Sequence, residues 1–140
     1  MACRDAGRAQ IACDELRRVA ATDRISILPL DLSNQRSIRR AVDQFLNEHS
    51  SLDVLVNNAG AWWADRRVSP DGIELVWATN VVGPYVLTKL LLPALHASGA
   101  AESSTSRPVT QAGSILMTSS TSTVPTVALR RIRRLSRRCA

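Results

Sequence analysis

Between Leu52 and Gly60 the chain reads Leu-Asp-Val-Leu-Val-Asn-Asn-Ala-Gly, an apolar run that breaks at once into two carboxamides, a small residue and a glycine. Asp53 to Val56 are mostly apolar on both alternating faces, the pattern of a strand covered by helices on each side of a parallel sheet. Asn57 and Asn58 then set amide donors and acceptors at its carboxyl end, where open α/β sheets bind ligands. Taken alone, these residues leave two readings open: a ligand-facing turn, or an Asn-rich turn of the kind that follows many strands.

The neighbouring segments narrow the choice. Ala2-Cys3-Arg4-Asp5 opens the chain, and Asp31-Leu32-Ser33 follows the run Ile25-Ser26-Ile27-Leu28. After the Asn-Asn-Ala-Gly turn come Asn80-Val81-Val82-Gly83 in a long helical stretch, Leu90-Leu91-Leu92-Pro93 near its end, and Gly113-Ser114-Ile115-Leu116-Met117-Thr118-Ser119-Ser120. In this order, from Met1 to about Ser120, they resemble the short-chain dehydrogenase/reductase family, and most closely its retinol-dehydrogenase-like branch. The resemblance implies an α/β fold, a partial Rossmann-like parallel sheet flanked by helices. Cys3 to Asp5 match the tail of that family's second strand, so the first strand and most of the second are expected to be lacking. The chain is then truncated at both ends relative to the family, with residues 1–125 forming an incomplete domain.

Strand, helix, strand, helix, strand with short polar connections independently argues for a parallel sheet wound by right-handed crossovers. The helix over Ala6 to Val19 carries Ile11, Glu15 and Leu16 at near-helical spacing. A strand follows over Arg24 to Leu30. Ser33 is placed to cap the next helix, which has Ile38, Ala41, Val42, Phe45 and Leu46 on one face and Gln35, Arg39 and Glu48 on the other. Beyond the loop of Ala61 to Ser69, helix is expected from near Asp71 towards His96, with Ile73, Val76, Trp77, Asn80 and Val81 making one stripe. Ser98 to Gln111 reads as a surface loop. In the Rossmann order 3-2-1-4-5, losing two strands leaves a gap of about 14 Å beside the third, so a broken central sheet is expected.

Composition bounds the rest. Hydrophobic residues make up 45% of the chain and aromatics only 4%, so the core must be aliphatic. No membrane span or secretory leader is expected, because Asn80, Lys89 and His96 interrupt the longest apolar candidate. Cys3, Cys13 and Cys139 lack paired spacing, which fits a reducing, cytoplasmic setting and no metal site. The net charge of +6 resides in Arg130, Arg131, Arg133, Arg134, Arg137 and Arg138; without these six, 12 basic residues face 12 acidic ones. The body is neutral, and its high pI is no evidence of nucleic-acid or membrane binding.

Chemistry is read residue by residue. Dinucleotide binding needs a glycine-rich turn after the first strand, and no two of the six glycines are close enough to form one. What the resemblance leaves is peripheral. Arg4 matches the guanidinium that meets the 2′-phosphate of NADP, Asp31 the carboxylate that meets the adenine amino group, and Asn57, Ala59 and Gly60 the turn against the cofactor. Asn80 is a carboxamide on an apolar stripe, which must be hydrogen-bonded or costs stability. Pro84, four residues on, has no N–H to bond the Asn80 carbonyl. That oxygen is free to hold a water, as the resemblance implies for the proton relay; a helix break at Gly83-Pro84 that Asn80 merely caps is the other reading.

Ser120 matches the family serine that steadies the substrate carbonyl, while Ser119 would face the opposite side of its strand; a bystander hydroxyl in this Ser/Thr-rich stretch is the alternative. Hydride transfer to a carbonyl also needs a proton donor, which the family supplies as a tyrosine and a lysine four residues apart after the serine. Tyr85 and Lys89 have that spacing but precede Ser120, so they are assigned to helix packing and to a solvated face. Trp62 and Trp63 lie in the loop over the expected pocket, facing either substrate or exposed core.

Residues 126–140 form a basic tail unlike the family, read as a foreign ending in preference to a nucleic-acid or membrane contact. Two functions follow. One is a fragment of an NADP-dependent oxidoreductase of small alcohols or carbonyl compounds, inactive by itself. The other is a non-catalytic interaction protein that uses its tail or exposed sheet.

Overall fold

The computed structural model describes residues 1–21, 23–99, 102–105 and 116–118. Two small sheets carry the helices. In the first, β1 (Ala2–Cys3) and β2 (Leu28–Pro29) run parallel, with Ala2 opposite Leu28 and Cys3 opposite Pro29. Helix α1 (Ala6–Ala20) makes the crossover between them, capped by the Asp5 carboxylate, which accepts from the Arg8 amide at 3.0 Å. The second sheet is centred on β3 (Val54–Asn57), reached through helix α2 (Gln35–Glu48). After β3 the helical run begins with α3 (Leu75–Trp77), widens into a π-helical turn (Ala78–Val82) and continues as α4 (Gly83–Ala97). Strand β4 (Glu102–Thr105) pairs parallel to β3, and β5 (Leu116–Thr118) pairs antiparallel to its other edge.

The expected break in the sheet is present: among the described residues no strand bridges the β1–β2 pair and the β4–β3–β5 sheet. One apolar cluster joins them instead. Ala2, Leu30 and Leu32 from the first sheet's side pack with Ile38, Val42 and Phe45 of α2, Leu55 of β3, and Leu87 and Leu91 of α4. Ile38, Leu52, Leu55, Leu87 and Leu91 are fully buried, and each such side chain contributes about 1.5–3 kcal/mol of transfer free energy. The core is aliphatic apart from Phe45, as the composition requires.

Two expectations about strands are corrected. Ser98 to Gln111, read as loop, contains β4. The segment Gly113 to Ser120, read as a parallel strand, supplies an antiparallel one at Leu116–Thr118. Chain length gives the reason. Helix α4 spans the distance needed for a parallel return from β3 to β4, and β4 ends with Thr105 opposite Asn57. Ten residues separate Thr105 from Leu116, fewer than the dozen or so of a parallel crossover. The chain therefore re-enters the sheet at the same end, with Leu116 opposite Val56 and Thr118 opposite Val54.

The helix faces also shift. In α1 the buried residues are Ala9, Ala12 and Cys13, small side chains that allow close approach, while Ile11 is 70% exposed. Ser33 does not cap α2: its hydroxyl donates to Asp31 Oδ1 at 2.7 Å, and Asn34 is the cap, accepting from the Arg36 and Ser37 amides at 3.0 and 3.2 Å. Leu46 lies exposed, outside the buried stripe of Ile38, Ala41, Val42 and Phe45. A turn at Ser69 to Gly72, closed by the Gly72 amide on the Ser69 carbonyl and by a positive φ of 78° at Gly72, carries Asp71 to the start of α2. There Asp71 Oδ2 accepts from the Gln35 amide at 2.7 Å, an anion against the positive end of a helix.

The expected stripe of Ile73 to Val81 is replaced by Ala78, Leu87, Leu91, Ala94 and Leu95, with Trp77 and Val81 exposed. The π-helical turn resets the face that follows, since one extra residue per turn rotates everything beyond it by about 100°; Trp77 precedes the turn, and its exposure is not an effect of that rotation. The run Leu75–Ala97 has 23 residues and a mean hydropathy of 1.4, long and apolar enough by length and composition to cross a membrane, even with Asn80, Lys89 and His96 interrupting it. Its inner face packs on α2 and β3.

Two predictions follow from this packing. A Cβ added at Gly83 would collide with the Leu32 carbonyl oxygen and lie 2.8 Å from Leu32 Cβ. Gly83→Ala should therefore destabilise the chain by about 1–3 kcal/mol in denaturant unfolding, whereas Gly7→Ala, whose added Cβ meets only the Asp5 carboxylate at 3.5 Å, should not clash. Glu74 caps the helical run, and the Val76 and Trp77 amides hold its carboxylate pKa below the ordinary 4.5. A depressed carboxylate stabilises the folded state above its unfolded pKa, and that contribution disappears as pH falls through the folded pKa. In an acid titration followed by NMR, the Val76 and Trp77 amides should shift together with a midpoint below pH 4.5, and Glu74→Gln should abolish that step.

Candidate functional site

The carboxyl ends of β1, β2 and β3 converge. Between them lies a cavity of about 100 Å³ whose wall includes Cys3 at the end of β1 and Arg4 after it, Leu30, Asp31 and Leu32 after β2, and Ala59, Gly60, Ala61 and Trp63 after β3, with Thr79 from the π-helical turn. Three strand ends that are far apart in sequence meet because the shared core holds the two sheets together. Arg4, Asp31, Ala59 and Gly60, singled out from the sequence, all line it.

Asp31 is held locally. Its Oδ1 accepts from the Ser33 amide at 2.9 Å and from the Ser33 hydroxyl at 2.7 Å, while its own amide donates to Ser37 Oγ at 2.9 Å. This Asx turn leaves Oδ2 as the oxygen to meet a ligand. Arg4 is exposed at the mouth, and its charge is the cationic element of the wall.

The Asn80 carboxamide is hydrogen-bonded, as an amide on an apolar stripe must be. Its Oδ1 accepts from the Ala61 amide at 2.8 Å, and its Nδ2 donates to the Ala61 carbonyl at 2.8 Å. One side chain thus satisfies both backbone groups of a loop residue. Asn80 does not cap a helix end, because the helix passes through the π-helical turn into α4, with Pro84 in the first turn. Such a turn is how a helix absorbs a proline that cannot donate, and π-bulges gather at functional sites.

Asn57 is 4% exposed and does not line the cavity; its Nδ2 donates to Thr88 Oγ1 at 3.1 Å. Asn57 Oδ1 and Thr79 Oγ1 are buried with no hydrogen-bond partner among the described residues. Trp63 forms part of the wall, whereas Trp62 is 70% exposed. Tyr85, expected to pack, is 63% exposed, and Lys89 is exposed as expected; neither lines the cavity. Ser120 and the basic tail lie outside the described residues. The strand before Ser120 runs away from the Asn57 end, Thr118 standing opposite Val54. No group of three or more His, Cys, Asp or Glu that could hold a metal occurs among the described residues.

Ala61, Thr79 and Thr88 escaped the sequence reading. Thr88 alone left a signal, a hydroxyl in an apolar helix that must bond back to a carbonyl or across to a partner.

Comparisons with known proteins show the family. The family model for short chain dehydrogenases matches residues 1–130, and the chain belongs to the short-chain dehydrogenase family. It is 41% identical over 96 residues to the bovine (Bos taurus) dehydrogenase/reductase SDR family member 12, covering 69% of this chain and 30% of that protein. To mouse (Mus musculus) retinol dehydrogenase 12 it is 36% identical over 101 residues, 72% of this chain and 32% of the relative. A metagenomic short-chain oxidoreductase solved in complex with NADP superimposes with a TM-score of 0.61 at 27% identity, covering 78% of this chain and 52% of that one. The chain thus spans about a third of the length of these two curated relatives.

The clamp on Ala61 generates a prediction. Asn80→Ala leaves a loop amide and carbonyl without partners and should cost about 1–3 kcal/mol in denaturant unfolding. Asn80→Asp keeps the acceptor but sets a carboxylate oxygen against the Ala61 carbonyl in place of the donor, so it should destabilise the chain as well.

Proposed function

We propose that the chain carries the nucleotide-facing part of an NADP-dependent short-chain oxidoreductase, which in full length moves a hydride between nicotinamide and the carbon of a small alcohol or carbonyl compound. One observation carries this reading: a single cavity gathers Arg4, Asp31 and the Ala59-Gly60 turn from three strand ends. Arg4 supplies the charge a 2′-phosphate needs, and Asp31 an acceptor for the adenine amino group. The NADP complex of the metagenomic relative supports the choice of cofactor. The mouse relative's name, retinol dehydrogenase, supports an alcohol substrate.

The residues fit only one end of the cofactor. A cavity of about 100 Å³ and no paired glycines leave the pyrophosphate without a cradle. Tyr85 and Lys89 sit on an exposed helix face outside the cavity. The chain by itself is therefore read as inactive, and no hydride step is assigned to it.

The test is a titration of the 140-residue chain with 2′,5′-ADP and with 5′-ADP. The 2′-phosphate should strengthen binding about tenfold, and Arg4→Ala should remove that difference. Equal affinities in the unsubstituted chain would contradict the NADP reading. Mixed with NADPH and a retinal-like aldehyde, the chain should leave the cofactor reduced; turnover would contradict the inactive reading.

A further inference from the structure

The helix that clamps Ala61 meets the same strand end a second time, through Thr88. The Thr88 hydroxyl donates to the Pro84 carbonyl oxygen at 2.7 Å. A hydroxyl has one proton, and with that proton engaged the Thr88 oxygen can meet Asn57 only as an acceptor. Asn57 Nδ2 supplies the donor at 3.1 Å. This fixes which way the carboxamide lies: Nδ2 faces α4, and Oδ1 is the atom left buried without a partner among the described residues. The flipped amide would set oxygen against oxygen at a site that is 4% exposed, where water does not relieve the repulsion.

We propose that Thr88 is a positioning residue, whose hydroxyl locks the Asn57 amide and so holds the start of the turn that lines the cavity. Asn80 grips Ala61 at the far end of that turn. One helix therefore fixes both ends of Asn57 to Ala61, and Ala59 and Gly60 between them face the cavity. The consequence for ligand binding rests on the nucleotide reading above; the orientation of the amide does not.

The experiment uses the isotope-labelled 140-residue chain with Thr88→Val, which keeps the shape and removes the hydroxyl, and Thr88→Ser, which keeps the hydroxyl. Three quantities are read: solvent exchange of the Asn57 side-chain amide, affinity for 2′,5′-ADP, and the melting temperature. Thr88→Val should expose the Asn57 amide to exchange and weaken 2′,5′-ADP about tenfold, and Thr88→Ser should hold both within about twofold. An Asn57 amide that stays protected in Thr88→Val overturns the proposal. So does a Thr88→Ser variant as impaired as Thr88→Val, since the methyl group would then be what matters. Should Thr88→Val fail to fold, the unsubstituted chain still decides, because its Asn57 amide protons must show through-space contacts to Thr88 and their absence overturns the assignment. If 2′,5′-ADP binds no variant, the nucleotide reading fails while the exchange data still judge Thr88.

Discussion

The carboxamide of Asn80 holds both backbone groups of Ala61, and the cavity wall depends on that contact. A loop following a buried strand has amides and carbonyls that must find partners. Here one side chain from a helix supplies an acceptor and a donor at 2.8 Å each. The π-helical turn around Asn80 gives it the reach, and the run continues into α4, whose Thr88 meets Asn57. Strand end, turn and helix thus form one unit, to which Arg4 and Asp31 are brought by the neighbouring sheet.

Among the described residues no shared strand joins the β1–β2 sheet to this unit, and packing attaches it. With no described strand between β2 and β3, hydrogen bonding does not carry the sheet across. The load falls on side chains: Leu32 lies under Gly83, and Leu30 and Ala2 share the cluster built from α2 and α4. Gly83 matters here because any larger residue would push α4 off the loop that carries Asp31. The cavity is therefore as well defined as this aliphatic contact, and the exposed Ile11, Trp77 and Tyr85 mark faces that the described residues leave uncovered.

Much of this was legible in the sequence, for identifiable reasons. The strand ending in Asn57 announces itself by an apolar run cut off by amides, and α1 and α2 by their spacing, although the cap of α2 is Asn34 and not Ser33. Arg4, Asp31, Ala59 and Gly60 were found by their order along the chain, and they share one cavity wall. What could not be read was phase and direction. The π-helical turn shifts the helix face beyond it by one residue, so α4 buries Leu87, Leu91, Ala94 and Leu95 instead of continuing the expected stripe. The antiparallel entry of β5 follows from connection length and from a missing neighbour strand, neither of which periodicity encodes. The grips of Asn80 on Ala61 and Thr88 on Asn57 join residues 19 and 31 positions apart, and local pattern carries no trace of such pairs.

Native-state hydrogen exchange at the Ala61 amide tests the central claim most directly. This loop amide, bonded to Asn80 Oδ1 in a part-buried setting, should be protected like the interior amides of α4 and should lose protection only with them. If it exchanges at the rate of the open residues at Asp65 to Arg67, the helix does not hold the turn, and the cavity is not a built site.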